Sequence, residues 1–236
     1  MHVTTLDGPG KNALGSEMLA FLIAEAGRAG GGPWLLTGAG DAFSAGLDLR
    51  EVGRLDNDGM STFLTQLEAM VATLWTYPGP TAAAVNGHAI AGGCVVAACC
   101  DHRVAAPGRG RIGLNEVAIG LRFPPNVWHV VTHRIPPRHH TEVLLGAGLF
   151  SPQEAYERGL VDALADDPVA AATAWLTRVG KHPADAYRAA KANLRGLPAD
   201  PAAAARFLAE VVPAWTSDHV RAQIDAALNR GRIRAS

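Results

Sequence analysis

The chain has few charges and almost none in excess: 18% of its 236 residues are Asp, Glu, Lys or Arg, and the formal net charge is -1. No run of like charges stands out, so the electrostatic footprint that grips nucleic acid or an anionic membrane is missing. No apolar stretch reaches the length a membrane span needs. Met1 to Lys11 lacks both a basic segment followed by an apolar one and an Arg-rich amphipathic pattern, so no targeting segment is expected there. Cysteine is scarce: Cys94, Cys99 and Cys100 are odd in number, bunched, and without C-x-x-C spacing, so neither a disulfide framework nor a zinc site is suggested. A reducing cytoplasm is the expected setting. There is no internal repeat and no long low-complexity linker. What is present is apolar bulk, 48% of the residues, enough to bury a substantial core.

The first half alternates short β-like runs with helical ones, as repeated β-α units do. Ser16 is placed to cap a helix whose Met18, Leu19, Leu22, Ile23 and Ala26 share one face. Trp34 to Thr37 reads as a buried strand ending at Gly38. A second helix is expected over Ser61 to Tyr77, with Phe63, Leu64, Leu67, Met70, Val71, Leu74 and Trp75 inward. Thr81 to Val85 is a short strand, Gly92 to Cys100 a buried helix of small apolar residues, and Arg103 to Ala106 a returning strand. The second half is mostly helical. Ser151-Pro152-Gln153-Glu154 combines an N-cap, a first-turn proline and a reciprocal acid, a specific helix start. Ala202 to Ala205 follows Pro201 and reads as helix. Ser217 begins a last amphipathic helix through Val220, Ile224 and Leu228.

Two glycine-containing segments each follow a predicted strand: Gly38 to Asp48, and Asn86 to Cys94. Either fits a tight turn. The second runs into the apolar helix, so amides near Gly92 are first-turn donors at the positive end of a helix dipole. Neither segment has the lysine of a phosphate-binding loop or the G-x-G-x-x-G spacing. An oxyanion site is the sharper reading.

The stretches Gly40-Asp41-Ala42-Phe43-Ser44-Ala45-Gly46-Leu47-Asp48-Leu49 and Val85-Asn86-Gly87-His88-Ala89-Ile90-Ala91-Gly92-Gly93-Cys94, with Asp101 and Arg103 beyond, resemble the two signatures of the crotonase (enoyl-CoA hydratase/isomerase) superfamily. Further matches lie at Asn12-Ala13-Leu14, at Ile112 to Gly120 and at Ser151 to Asp162. The resemblance implies an α/β fold: a spiral of β-β-α units over 1-165 carrying the CoA site, and a C-terminal helical region over 166-236 that serves oligomerisation, as a homotrimer or dimer of trimers. It implies an acyl-CoA thioester as substrate, with coenzyme A part of that substrate and no separate cofactor, metal, nucleic acid or membrane involved. Matched position by position, the amides of Leu47 and Gly92 would hold the thioester oxygen. Ser44, Ala45, Gly46 and Asp48 would line the adenine end of CoA, with Asn12, Ala13 and Leu14 on its other side.

The carboxylates depart from the hydratase pattern. A hydratase-like member has glutamate after Gly-Gly-Cys and another where this chain has Glu116; here the first position is Val95. Adding water calls for one group to activate it and usually a second to orient it. Moving a double bond needs one base, and the run Ala91 to Asp101 followed by Ile112 to Glu116 resembles the mitochondrial short-chain 3,2-enoyl-CoA isomerase subgroup. The expected activity is therefore isomerisation of 3-enoyl-CoA to 2-enoyl-CoA with Glu116 as the single acid/base. The alternatives are another crotonase-type activity such as enoyl-CoA hydration, or a catalytically quiet acyl-CoA-binding scaffold.

Other residues have plainer readings. The cysteines sit among Val95, Val96, Ala97 and Ala98 and read as packing. His88, near the oxyanion loop, reads as structural or pocket-lining. His129, His133, His139 and His140 lack metal-ligand spacing and are expected at exposed helix positions. Glu142 is the second-choice acid. The segment Arg122-Phe123-Pro124-Pro125-Asn126 replaces the hydratases' glycine-rich loop, and its prolines and Phe123 are expected to reshape the acyl pocket.

Overall fold

The computed structural model describes residues 1-196 and 201-233. In chain order the strands are β1 (His2–Leu6), β2 (Trp34–Gly38), β3 (Ala42–Ser44), β4 (Thr81–Val85), β5 (His88–Ile90), β6 (His102–Ala105), β7 (Ile112–Gly113), β8 (Leu149–Phe150) and β9 (Ala163–Leu164). The helices are the single turn α1 (Pro9–Asn12), α2 (Ser16–Ala29), the single turn α3 (Leu49–Val52), α4 (Asn57–Trp75), α5 (Gly92–Cys99), α6 (Pro125–Arg134), α7 (Pro152–Glu157), α8 (Pro168–Val179), α9 (Ala184–Arg195), α10 (Pro201–Trp215) and α11 (Asp218–Ile233).

Successive strand pairs feed two sheets. One runs β1-β2-β4-β6-β9 with every pairing parallel, and the other runs β3-β5-β7-β8, antiparallel only between β7 and β8. From β2 to β7 the chain thus lays one strand on each sheet in turn and crosses over between pairs by a helix, which is the spiral of β-β-α units. Parallel pairing leaves the inner strands covered on both faces, so β4 is apolar throughout after Thr81 and wholly buried. Helix α5 is likewise buried on every side, as a helix apolar all round must be. It packs against α4 and α6, and shares one core with their Leu64, Leu67, Trp75, Val127 and Val131 and with Leu14. On the other face of the first sheet, Leu35, Ala82, Ala84 and Val104 pack under Ala172 and Leu176 of α8.

Several local expectations shift. Gly15, not Ser16, is the N-cap of α2; Ser16 lies inside the first turn, where its hydroxyl and amide both donate to the Glu51 carboxylate. Helix α4 starts at Asn57, ahead of Ser61, because Asp56 accepts from the Gly59 amide at 2.8 Å and caps it there. Ser151 and Glu154 form the full capping box. Ser217 precedes α11 and accepts from the Val220 amide at 3.4 Å. The apolar face of α11 turns into its own chain: Val220 and Ile224 are buried in the main core. His129, His139 and His140 are half-buried rather than exposed, because their rings are engaged. His129 meets the Trp75 ring edge-on and the Arg195 carbonyl at 3.0 Å, His140 reaches the Ile135 carbonyl at 2.9 Å, and His139 lies beside Glu142. His133 is exposed as expected.

The C-terminal helices are tied to the sheets by one buried carboxylate. Asp101 accepts from the amide and hydroxyl of Thr81, from Lys191 at 2.8 Å and from Arg195 at 2.5 Å. Burial alone would raise its carboxyl; the Lys191 and Arg195 charges outweigh that and hold it below the ordinary range. Arg103 grips Asp162 through two side-chain bonds, at 2.8 and 2.6 Å. These signature residues thus hold the fold together.

Candidate active site

The first glycine segment is shaped by side-chain amides. Asn86 pairs with the Gly38 backbone in both directions, at 3.1 and 2.9 Å, and Asn12 donates to the carbonyls of Ala39 and Ala42, each at 2.9 Å. The Ser44 hydroxyl donates to the Asn12 carbonyl at 2.7 Å. Beyond Ser44 the chain crosses beside Leu14: the Leu14 amide donates to the Gly46 carbonyl at 2.7 Å and the Asp48 amide to the Leu14 carbonyl at 3.2 Å. That parallel bridge uses the groups on either side of Leu47 and turns the Leu47 amide away from it.

Gly46 has φ +92, and a Cβ there would stand 2.7 Å from the Ile90 carbonyl oxygen, so glycine lets the first segment approach the β5–α5 junction. At that junction Ala91 holds φ 49 and ψ -120, a conformation a residue with a side chain rarely adopts, costing about 1–3 kcal/mol. The strain sits immediately before Gly92, the first residue of α5. A Cβ on Gly92 would lie 3.6 Å from the Leu47 amide nitrogen, so the two backbones run side by side. Among the described residues neither the Leu47 nor the Gly92 amide donates to a protein acceptor. Both residues line a cavity of about 80 Å³.

Glu116 enters the same cavity from the turn after β7. Its side chain is 8% exposed, and Oε2 has no partner among the described residues. Burial lifts its carboxyl from 4.5 to about 8, with its own backbone amide opposing. Val95 faces the cavity one turn into α5, with Leu49, Leu67, Leu121, Phe123 and Val127 completing an apolar wall. Two unpaired amides, one buried acid and an apolar chamber form a constellation for polarising an oxygen and moving a proton nearby.

The remaining site candidates fall in different places. Ala45 lines the cavity, while Ala13 and Asp48 line a groove of about 650 Å³ with Gly15, Ser16 and Glu51. Asn12, Leu14, Ser44 and Gly46 are interior, with the first and third spent on the backbone bonds above. Sequence reading missed Arg50 and Arg54. They flank a groove of about 340 Å³ that shares Leu49 with the cavity, and among the described residues neither forms an ion pair. Their place two and six positions after Asp48 was the available signal. Arg122, Phe123 and Pro124 do line the cavity.

His88 accepts from the Arg111 amide at 3.2 Å and stays outside the cavity lining, a structural placement. Burial pushes all three cysteine thiols up to about 12, consistent with packing. Glu142 is exposed and paired with Arg158 at 2.6 Å, away from the cavity. Among the described residues no cluster of three His, Cys, Asp or Glu side chains is arranged to hold a metal, and no helix is long and apolar enough to cross a membrane.

Residues 2-212 match the family described as enoyl-CoA hydratase/isomerase. A Mycobacterium tuberculosis protein named "probable enoyl-CoA hydratase EchA14" is 32% identical over 197 residues, covering 82% of this chain and 77% of that protein. The mouse mitochondrial enoyl-CoA delta isomerase 1 is 36% identical over 121 residues, 51% of this chain and 42% of that protein. The crystal structure of human mitochondrial delta3-delta2-enoyl-CoA isomerase superposes with a TM-score of 0.88 at 25% identity, covering 99% of this chain and 95% of that one. On the match along its length, and on the spiral that brings its two glycine segments together, the chain belongs to the crotonase, or enoyl-CoA hydratase/isomerase, family.

Proposed function

We propose that the protein shifts the double bond of a 3-enoyl-CoA to give the 2-enoyl-CoA, with Glu116 as the sole acid/base. The observation that carries this reading is the pairing of Glu116 with Val95 across one cavity: a single carboxylate faces the two unpaired amides. The Glu116 carboxylate takes the C2 proton, the electron pair delocalises through the thioester as a dienolate, and the same carboxyl returns the proton at C4. The Leu47 and Gly92 amides meet the charge on the thioester oxygen, where one such donor is typically worth about 2.7–4 kcal/mol. The step is redox-neutral and calls for no metal or separate cofactor. The CoA end lies across the grooves bordered by Ala13, Asp48, Arg50 and Arg54, with the two guanidiniums for its phosphates.

A second reading is hydration, favoured by the unpartnered Asn115 Oδ1, an acceptor in the same cavity wall able to hold a water. The test is to supply a 3-enoyl-CoA and a 2-enoyl-CoA separately. Conversion of the first to 2-enoyl-CoA with slow or absent hydration of the second supports isomerisation; the reverse ranking replaces it with hydration. We further propose a homotrimer or dimer of trimers, with the exposed Val117, Trp128 and Leu145 as the apolar surface a neighbour covers. Light scattering at micromolar concentration should give three or six chain masses, and a monomer mass refutes it.

A further inference from the structure

Trp215, the last residue of α10, closes one side of the cavity that holds Glu116. It is 2% exposed, and among the described residues its indole Nε1–H has no acceptor. Two other buried tryptophans are paired: Trp34 donates to the Thr4 hydroxyl at 2.9 Å and Trp75 to the Arg195 carbonyl at 3.3 Å. A buried donor without an acceptor is uncommon, because leaving it dry forfeits its hydration. Phenylalanine would give this wall a smaller ring with no donor to satisfy. The cavity holds two acceptors without partners, Asn115 Oδ1 and Glu116 Oε2, and neither bonds to the indole; among the other lining side chains Leu49, Leu67, Leu121, Phe123 and Val127 are apolar. An occupant that brings an oxygen to this wall would supply the acceptor that the indole lacks among the described residues.

We propose that Trp215 is a specificity-determining residue: its indole N–H donates to an oxygen carried on the acyl portion of the thioester, beyond the reacting carbons. The preferred substrates are then acyl-CoA thioesters whose chain bears a hydroxyl, oxo or ether oxygen, rather than plain hydrocarbon chains. This rests on the acyl-CoA reading of the site, but on neither isomerisation nor hydration. A site built to hydrogen-bond a substrate oxygen discriminates against the analogue lacking it, because the protein group is left unpaired.

The experiment uses saturated acyl-CoA thioesters, which bind without reacting. A short-chain parent is compared by calorimetry with analogues carrying one ether oxygen or one hydroxyl at successive positions from C5 outward, in the wild type and in Trp215→Phe. For at least one position the wild type should bind the oxygenated analogue roughly 10-fold more tightly than the parent. W215F should lose the preference, binding the oxygenated analogues no more tightly than it binds the parent. In parallel, the Trp215 indole N–H resonance of the ¹⁵N-labelled wild type should move with the preferred analogue and not with the parent. Equal affinities across the series in the wild type, or a preference that survives in W215F, overturn the inference and leave the acyl-CoA reading standing. Failure to bind any of the thioesters overturns both.

Discussion

Replacing Glu116 by glutamine separates what the acid does for catalysis from what it does to the fold. Burial lifts its carboxyl from 4.5 to about 8, so the folded protein holds this proton more tightly than the unfolded chain. Below pH 4.5 both states are protonated and the group is neutral toward stability. As pH rises above that value the unfolded state ionises first and stability falls, until the folded acid ionises near pH 8. By pH 7 the accumulated loss reaches roughly 3 kcal/mol, at about 1.4 kcal/mol per pH unit. Glutamine carries no such linkage. E116Q should therefore be more stable than the wild type at pH 7 by up to about 3 kcal/mol, roughly 6–12 °C in melting temperature for a domain this size. The gap should close by about pH 4.5. On the same preparation, exchange of the substrate C2 proton with deuterated solvent should fall by about 10⁴-fold while acyl-CoA affinity persists. In the wild type that exchange should climb with pH and level off above about pH 8. Melting curves of both proteins across this range, with exchange followed by NMR, are the assay. A variant with no stability gain at pH 7 refutes the buried-acid argument, and retained exchange refutes the single-base scheme.

Gly92→Pro removes one amide donor and should lower turnover by about 10²- to 10³-fold with circular dichroism unchanged. Gly92→Ala keeps the amide, and its Cβ meets the flexible ends of Leu14 and Leu47 at 3.1 and 3.3 Å and the Leu47 amide nitrogen at an ordinary 3.6 Å, so it should retain more activity than Gly92→Pro. Val95→Glu places a second carboxyl in the chamber and should raise the ratio of hydration to isomerisation. An unchanged ratio in a folded variant whose new acid ionises removes Val95 from that role. Asp101→Ala leaves Lys191 and Arg195 buried without their counter-charge and should cost about 3–5 kcal/mol in denaturant unfolding.

Long periodic elements were legible in the sequence. The capping box at Ser151 and the strand Thr81 to Val85 stand where read, because their signals are local. Three- and two-residue strands such as β5 and β7 were not, since so few residues carry no periodicity and exist only through their partners. Asn57-Asp58-Gly59 lies ahead of the helix expected from Ser61, yet Asp56 caps a helix there; tertiary burial of Met60 and Phe63 outweighs the low helix propensity of glycine. In the site, Glu116, Leu47 and Gly92 were named from motif resemblance, and the fold brings them to one cavity. Trp215 was not, because it lies 99 positions beyond Glu116 in a helix whose pattern signals only packing. The strain at Ala91 was also invisible, as alanine gives no hint of positive φ.

The Asp101 junction also bears on how fast the molecule comes apart. Its bonds to Lys191 and Arg195 span 90 and 94 residues of chain, so both form only after that whole length has been gathered in. A contact that forms after the folding transition state places its stabilisation on the unfolding barrier, so Asp101→Ala should then speed unfolding more than it slows refolding. On that expectation the junction is a latch, one that governs the lifetime of the native state more than the rate of refolding, and the two arms of a chevron for the variant and the wild type measure it.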